Sequence, residues 1–388
     1  MSLQTKNFAD LLTFSRASTG TYFDNTGTLQ TAAVNAPRFD YDPVSKAALG
    51  LLIEESRTNL LTYSEQFDNA AWGETHSSVT ANVASAPDGN VTADKLVEDT
   101  AAASHAINYA SGILLNSGTN YTVSVFLKAA GRNWAFLDSY DGSLDHYAYF
   151  DLSAGVVGNV GASTTATIEN CGSGWYKCSI SFTSANTTTT AFAFQVFTAT
   201  ANGLNNYTGD GASGIYMWGA QLEAGAFATS YIPTTSAAVT RAADVCTRTL
   251  GTEWNPSAGT FVVKYTSPNY ANIPSVLNFD GAWTNGLNVQ GPPGNAGWWN
   301  GTNNIPTTNT IAAGLERREA FAYTNNSRAI CLNGGSVASD SSAPFNSSPT
   351  AMRLGDNPTG TQCINGHIKS LVYYPTRLSD ADLQSLTA

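Results

Sequence analysis

Tyr121-Thr122-Val123-Ser124-Val125-Phe126-Leu127-Lys128 is the stretch that decides how this chain folds. Tyr121, Val123, Val125 and Leu127 fall on one side of an extended backbone, and Thr122, Ser124, Phe126 and Lys128 on the other. That is the period of a strand with one face in a core. The alternation returns where Tyr176, Cys178, Ile180 and Phe182 interleave with Lys177, Ser179 and Ser181. A third run, Ala191-Phe192-Ala193-Phe194-Gln195-Val196-Phe197, is apolar on both sides, the pattern of a central strand covered on each face. Gly, Asn, Ser and Asp punctuate these runs, and no ten-residue helical stripe competes with them. The fold class expected is all-β, built of tandem antiparallel β-sandwiches of jelly-roll type.

Composition narrows the rest. At roughly 150 residues per domain, 388 residues predict two or three units. Hydrophobic residues make up 42% of the chain, enough for real cores, so global disorder is excluded. Only 12% of residues are charged, and the net charge of −11 speaks against sequence-independent binding to nucleic acid, which needs Lys and Arg against phosphates. Anionic membranes are equally poor partners. No window is apolar enough for a membrane span, and the first residues lack the apolar core of a signal peptide, so synthesis in the cytoplasm is expected. Five widely spaced cysteines, at 171, 178, 246, 331 and 363, form no C-x-x-C pair and read as buried thiols.

Three segments follow. Residues 1–60 read as an N-terminal leader with a hairpin whose turn is Asp24-Asn25-Thr26-Gly27 and a buried strand at Gly50-Leu51-Leu52-Ile53-Glu54. Residues 61–245 form the first sandwich. The stretch Thr234–Thr249, poor in bulky apolar residues and following Pro233, reads as a linker, and residues 246–388 form a second sandwich. A short C-terminal helix is capped by Ser379, with Leu383 and Leu386 three apart. Arg16, Arg38 and Arg57 stand among Asp24, Asp40, Asp42, Glu54 and Glu55. Forked Arg–carboxylate pairs from these would tie the leader to a sandwich or to a neighbouring subunit.

The leader residues Thr13-Phe14-Ser15-Arg16-Ala17-Ser18-Thr19-Gly20-Thr21-Tyr22, Pro37-Arg38-Phe39-Asp40-Tyr41, Gly50–Glu55 and Arg57-Thr58-Asn59-Leu60-Leu61 resemble the opening of tailed-phage fibre, head-fibre and gene-transfer-agent spike proteins. Trp218-Gly219-Ala220-Gln221-Leu222-Glu223-Ala224-Gly225, followed by Thr229-Ser230-Tyr231-Ile232-Pro233-Thr234, is similar to the last strand of carbohydrate-binding-module-like jelly rolls. The ending, with Tyr373-Tyr374, Arg377-Leu378-Ser379 and Leu383, resembles the close of a concanavalin A-like or laminin G-like lectin domain. These resemblances imply a virion adhesin made in the host cytoplasm, set among other head or tail proteins as a homo-oligomer, trimers being frequent. Its expected ligand is host surface polysaccharide.

Sugar binding needs flat aromatic faces with polar groups at their edge. Two clusters fit. One is Trp283 with Trp298, Trp299 and Asn300, beside the rigid turn Gly291-Pro292-Pro293-Gly294. The other is Trp134 with Asp138, Tyr140, Asp141, Asp145, His146 and Tyr147. Adjacent Trp298 and Trp299 also mean that one ring faces inward in an extended segment. Trp72, Trp175 and Trp218 read as core. Asp138, Asp141 and Asp145 supply the hard oxygens of a possible structural Ca²⁺ site, without EF-hand spacing, and no other cofactor is called for. Nucleophile-elbow, zinc-protease and P-loop signatures are absent. Glycoside cleavage, needing two carboxylates in one cleft, is the enzymatic rival, and a purely structural virion role is the other.

Overall fold

The computed structural model describes residues 11–110, 112–186, 192–268, 273–279, 285–345 and 349–388. Two β-sandwiches account for most of them, each a pair of antiparallel sheets closed on its own core. The first has two six-stranded sheets. In spatial order the front sheet runs Val156–Val160, Asp145–Asp151, Trp134–Tyr140, Ala193–Ala199, Ala106–Ala110 and Trp72–Thr75. The back sheet runs Thr164–Asn170, Tyr176–Thr183, Asn120–Ala130, Gly214–Ala224, Val91–Glu98 and Ser77–Ser85. Tyr121, Val123, Val125 and Leu127 enter the core between them as the alternation predicts, and meet Leu137, Phe150 and Val196 of the front sheet. Full burial of such a side chain contributes ~1.5–3 kcal/mol.

The leader is not a unit of its own. Strand Thr13–Ser15 pairs with Val245–Thr249 in one seven-stranded sheet of the second sandwich. Strands Phe39–Tyr41 and Ala48–Ile53 extend the other seven-stranded sheet alongside Gly366–Tyr374. The first sandwich is therefore inserted into the second. The chain leaves along Arg57–Asn59 and returns along Val239–Arg241, and the two segments pair as a neck. Between the two integrated pieces, strands Gly20–Phe23 and Leu29–Ala32 form the expected hairpin, which lies on the outer face of the back sheet. There Leu29 and Phe23 pack with Phe126, Trp175, Trp218 and Tyr231.

The expected linker is likewise replaced by structure. Residues 234–249 contain two strands, and Arg241 and Asp244 are fully buried. The reason is electrostatic: Asp244 takes Arg16 at 3.1 Å on one oxygen and Arg38 at 2.5 Å on the other. Arg38 also meets Glu54 at 2.7 Å, so the leader's arginines are tied to the strap that re-enters the second sandwich. Other expectations hold. Trp72, Trp175 and Trp218 are core, all five cysteines are buried free thiols, and Asp380–Thr387 is a helix whose Ser379 forms a capping box with Asp382.

Candidate functional site

Strand Trp134–Tyr140 sends Ala135, Leu137 and Ser139 inward, all fully buried, and sets Trp134, Phe136, Asp138 and Tyr140 on the outer face of the front sheet. Antiparallel register completes a grid around them. Phe136 lies between Tyr149 and Phe197, Asp138 between Tyr147 and Gln195, and Tyr140 between Asp145 and Ala193. Phe136, Tyr149 and Phe197 form the floor, with ring centroids 4.4 and 5.0 Å from Phe136. The strand Ala193–Ala199 is central in its sheet as expected, and its outer side is covered by these rings of its own sheet. Trp134 and Tyr147 stay half-exposed, Tyr147 at 36%. From Trp134 to Tyr140 the strip measures ~20 Å at ~3.4 Å per residue.

Edge glycines seat the two open rings. A Cβ on Gly158 would come within 2.8 Å of the Trp134 ring, and one on Gly161 within 3.0 Å of Tyr147. The polar groups are placed as firmly. Tyr149 donates its hydroxyl hydrogen to Asn205 Oδ1 at 2.9 Å, and Gln195 Nε2 donates to Asn108 Oδ1. Asn108 in turn donates from Nδ2 to Thr75 Oγ1 at 2.7 Å.

Asp138 is the exception. Its Oδ1 is buried and makes no hydrogen bond within the protein. Burial against the rings, and then the charge of Asp145, push its carboxyl up to about 6.

The second predicted cluster is thus brought together in part. Trp134, Asp138, Tyr140, Tyr147 and Asp145 share the face, while Asp141 and His146 turn inward. The carboxylate of Asp141 accepts from the amides of Ser143, Leu144 and Ala185, and His146 stacks on Phe182 at 4.2 Å. The possible Ca²⁺ set of Asp138, Asp141 and Asp145 therefore does not converge, since Asp141 turns inward and spends one oxygen on the following turn and the other on the Ala185 amide. Among the described residues no group of three His, Cys, Asp or Glu side chains is arranged for a metal.

The first predicted cluster dissolves. Trp298 is fully buried, stacked on Phe321 at 3.5 Å, and its indole N–H donates to Pro344 O at 2.9 Å. Trp299, on the opposite face of strand Asn295–Trp299, is half-buried. Asn300 is buried as a turn former, accepting from the amides of Thr302 and Asn303. Trp283 lies outside the described residues. The second sandwich instead holds a cavity of about 640 Å³, walled by groups such as Leu51, Leu250, Phe261, Leu354 and Ile368, whose apolar lining offers little to a polyhydroxylated ligand.

Phe136, Tyr149, Phe197, Gln195 and Asn108 are site residues that sequence reading did not select. Phe136 and Tyr149 were within reach, because each lies two positions from a chosen residue on the same strand. Gln195 and Asn108 arrive only through pairing with distant strands and leave no local signal.

No family model and no curated protein sequence matches this chain. Solved structures similar to it include a protein described as carbohydrate binding from Bacteroides ovatus, at 10% identity over 70% of this chain and 81% of that one, with a TM-score of 0.29. Domains LG4-5 of the mouse laminin α1 chain match at 9% identity over 74% and 92%, with a TM-score of 0.24. Trypanosoma rangeli sialidase in complex with sialic acid matches at 10% identity over 76% and 60%, with a TM-score of 0.31. Similarity this low carries no argument about the site.

Proposed function

We propose that the protein is a non-enzymatic adhesin that binds surface polysaccharide across the outer face of its front sheet. The observation that carries this reading is the unpartnered carboxylate oxygen of Asp138, opposite the exposed ring of Tyr147 and on the same outer face as the half-exposed ring of Trp134. Rings take the C–H faces of sugar residues, and Asp138, Gln195 and Tyr140 meet hydroxyls at their edge. The resemblance of the leader to phage and gene-transfer-agent fibres supports display on a phage-like particle, as a homo-oligomer whose linked sites convert weak single contacts into avid attachment.

The test is binding of full-length protein to polysaccharide from candidate host cells, with Trp134→Ala alongside. Loss of one exposed stacking ring is expected to weaken binding ~10-fold or more with the fold intact. Unchanged binding by Trp134→Ala would refute the assignment of this face.

A second reading has its own observation. Asp138, with its raised pKa, and Asp145 sit diagonally on neighbouring strands, Asp145 directly opposite Tyr140. Two such carboxylates on one face are what glycoside hydrolysis uses. Release of reducing ends, lost in both Asp138→Asn and Asp145→Asn, would replace the adhesin by a glycosidase.

A further inference from the structure

Charge is divided unevenly along the chain. Residues 61–236, which make up the inserted sandwich, hold 4 of the 18 Lys and Arg and 14 of the 29 Asp and Glu, so 4 − 14 = −10 of the net −11 lies there. Each of the four cations is engaged away from the aromatic strip. Lys95, Lys128 and Lys177 stand on strands of the back sheet. There Lys95 donates to Ala212 O at 2.8 Å, Lys177 donates to Thr229 O at 2.5 Å, and Lys128 lies 6.0 Å from the centre of the Trp175 ring. Arg132 is forked onto Glu98, with Nε 2.8 Å from Oε2, and lies over the ring of Tyr207.

The strip itself carries only the opposite sign. Asp145 is exposed, and its carboxylate meets no donor among the described residues. It stands opposite Tyr140 and diagonal to Asp138, and such diagonal neighbours lie ~7–8 Å apart. Asp138 is partly exposed, and burial followed by the charge of Asp145 pushes it up to about 6, so the two carboxylates repel each other with no cation between them. The rings add to this sign, because the face of an aromatic ring is its negative side. Trp134 is half-exposed and Tyr147 is 36% exposed, with the Tyr147 ring 5.7 Å from that of Phe136. A glycan bearing carboxylates, sulfates or phosphates is repelled by acids and rings alike. A neutral one leaves the repulsion between Asp138 and Asp145 as it is, whereas an ammonium group is attracted by both carboxylates and by the ring faces.

We propose that the polysaccharide bound by this face carries free amino groups, seated as ammonium ions against the rings of Trp134 and Tyr147 and beside the carboxylates of Asp138 and Asp145. This rests on the aromatic face being the sugar site and adds the class of sugar to it: a hexosamine with its amine unacylated, as against a neutral hexose or a uronic acid. The amine projects from the edge of a pyranose, so the C–H face stacks on a ring while the ammonium turns to a carboxylate at the edge. The charge of the whole sandwich works in the same direction, drawing a polycation in and holding a polyanion off, and salt screens both effects.

Titrations of the full-length protein with hexamers of glucosamine, N-acetylglucosamine and galacturonic acid decide it, at a pH just below neutral where the amines are charged. The glucosamine hexamer is expected to bind about fivefold or more tighter than its N-acetylated counterpart, with the advantage shrinking as salt is added and the acidic hexamer weakest of all. Asp145→Asn should remove most of that advantage and leave the affinity for the N-acetylated hexamer as it was. Glu169→Gln, the same change of net charge at an exposed position of back-sheet strand Thr164–Asn170, should leave the advantage intact. Trp134→Ala should weaken both hexamers. Equal affinity for the two, each lowered by Trp134→Ala, would overturn the amine and keep the face as a sugar site. An advantage that survives Asp145→Asn, or that falls equally in Glu169→Gln, would also overturn the proposal, since diffuse attraction to an acidic protein then accounts for it. Failure of the glucosamine hexamer to bind at all would end the idea.

Discussion

Asp138 sets function against stability within one side chain. Its pKa of about 6 in the folded protein lies above the ~3.9 of an unfolded aspartate. The folded state therefore holds more protons between those values, and stability falls as the pH climbs from about 4 to about 6, staying lower above. Asp138→Asn removes this penalty. At pH 7 the variant should be more stable by roughly 3 kcal/mol, its stability should lose the slope between pH 4 and 6, and at pH 3 the two proteins should match. Replacing a charged acceptor by a neutral one should meanwhile weaken sugar binding ~10-fold, since hydrogen bonds to charged groups contribute ~1.5–3 kcal/mol. Melts across pH and binding titrations on the same preparation check both halves, and a variant that gains stability without losing affinity would show Asp138 to be an idle buried acid. The sequence marked Asp138 because acidic and aromatic residues crowd together between 134 and 147. It misplaced Asp141 and His146 because proximity along a chain ignores which face a strand shows. Trp298 was misjudged for a related reason: an indole next to a turn looks the same in sequence whether it faces solvent or stacks on Phe321.

At the scale of elements, the segment after Pro233 behaves as a clamp where composition suggested a linker. Asp244 gathers Arg16 and Arg38 from 228 and 206 residues away. Asp244→Asn takes from Arg16 the carboxylate it pairs with and leaves Arg38 with Glu54 alone. Breaking a buried pair on one side costs about 3–5 kcal/mol, because the remaining charge stays dry and uncompensated. Urea unfolding of Asp244→Asn should therefore show a loss of that order at unchanged m-value, and a loss below ~1 kcal/mol would mean that the clamp is decorative. The arginines of this arrangement were legible, since three of them stand among carboxylates in the first 60 residues. Their principal partner was not. The residues around Asp244 are small and carry no alternation that marks a strand, and Gly20, whose Cβ would come within 3.1 to 3.3 Å of the Arg16 and Arg38 side chains, leaves room for both.

For the whole molecule, insertion of one sandwich into the other divides the labour of its surfaces. The back sheet of the inserted sandwich is covered by the hairpin of Gly20–Phe23 and Leu29–Ala32, whereas the front sheet, on the far side, keeps its aromatic strip open. Strand alternation made the two sandwiches legible, but nothing local distinguishes Phe126, which is covered by the leader, from Phe136, which is covered by its own neighbours. A fragment of residues 60–236 separates the two surfaces. It retains Trp134, Asp138 and Tyr147, so each molecule that folds should bind polysaccharide as the intact chain does. It also lacks Phe23 and Leu29, which uncovers Phe126, Trp175 and Trp218, all at most 2% exposed in the full chain. Apolar surface of that kind drives association. The fragment should accordingly bind a hydrophobic dye and scatter light at concentrations where the full chain stays clear. Leu29→Ala in the full chain should lose ~2–5 kcal/mol at the same contact. A fragment that is clear, dye-negative and as stable as the intact protein would mean that the hairpin is a passenger on the back sheet and not its third layer.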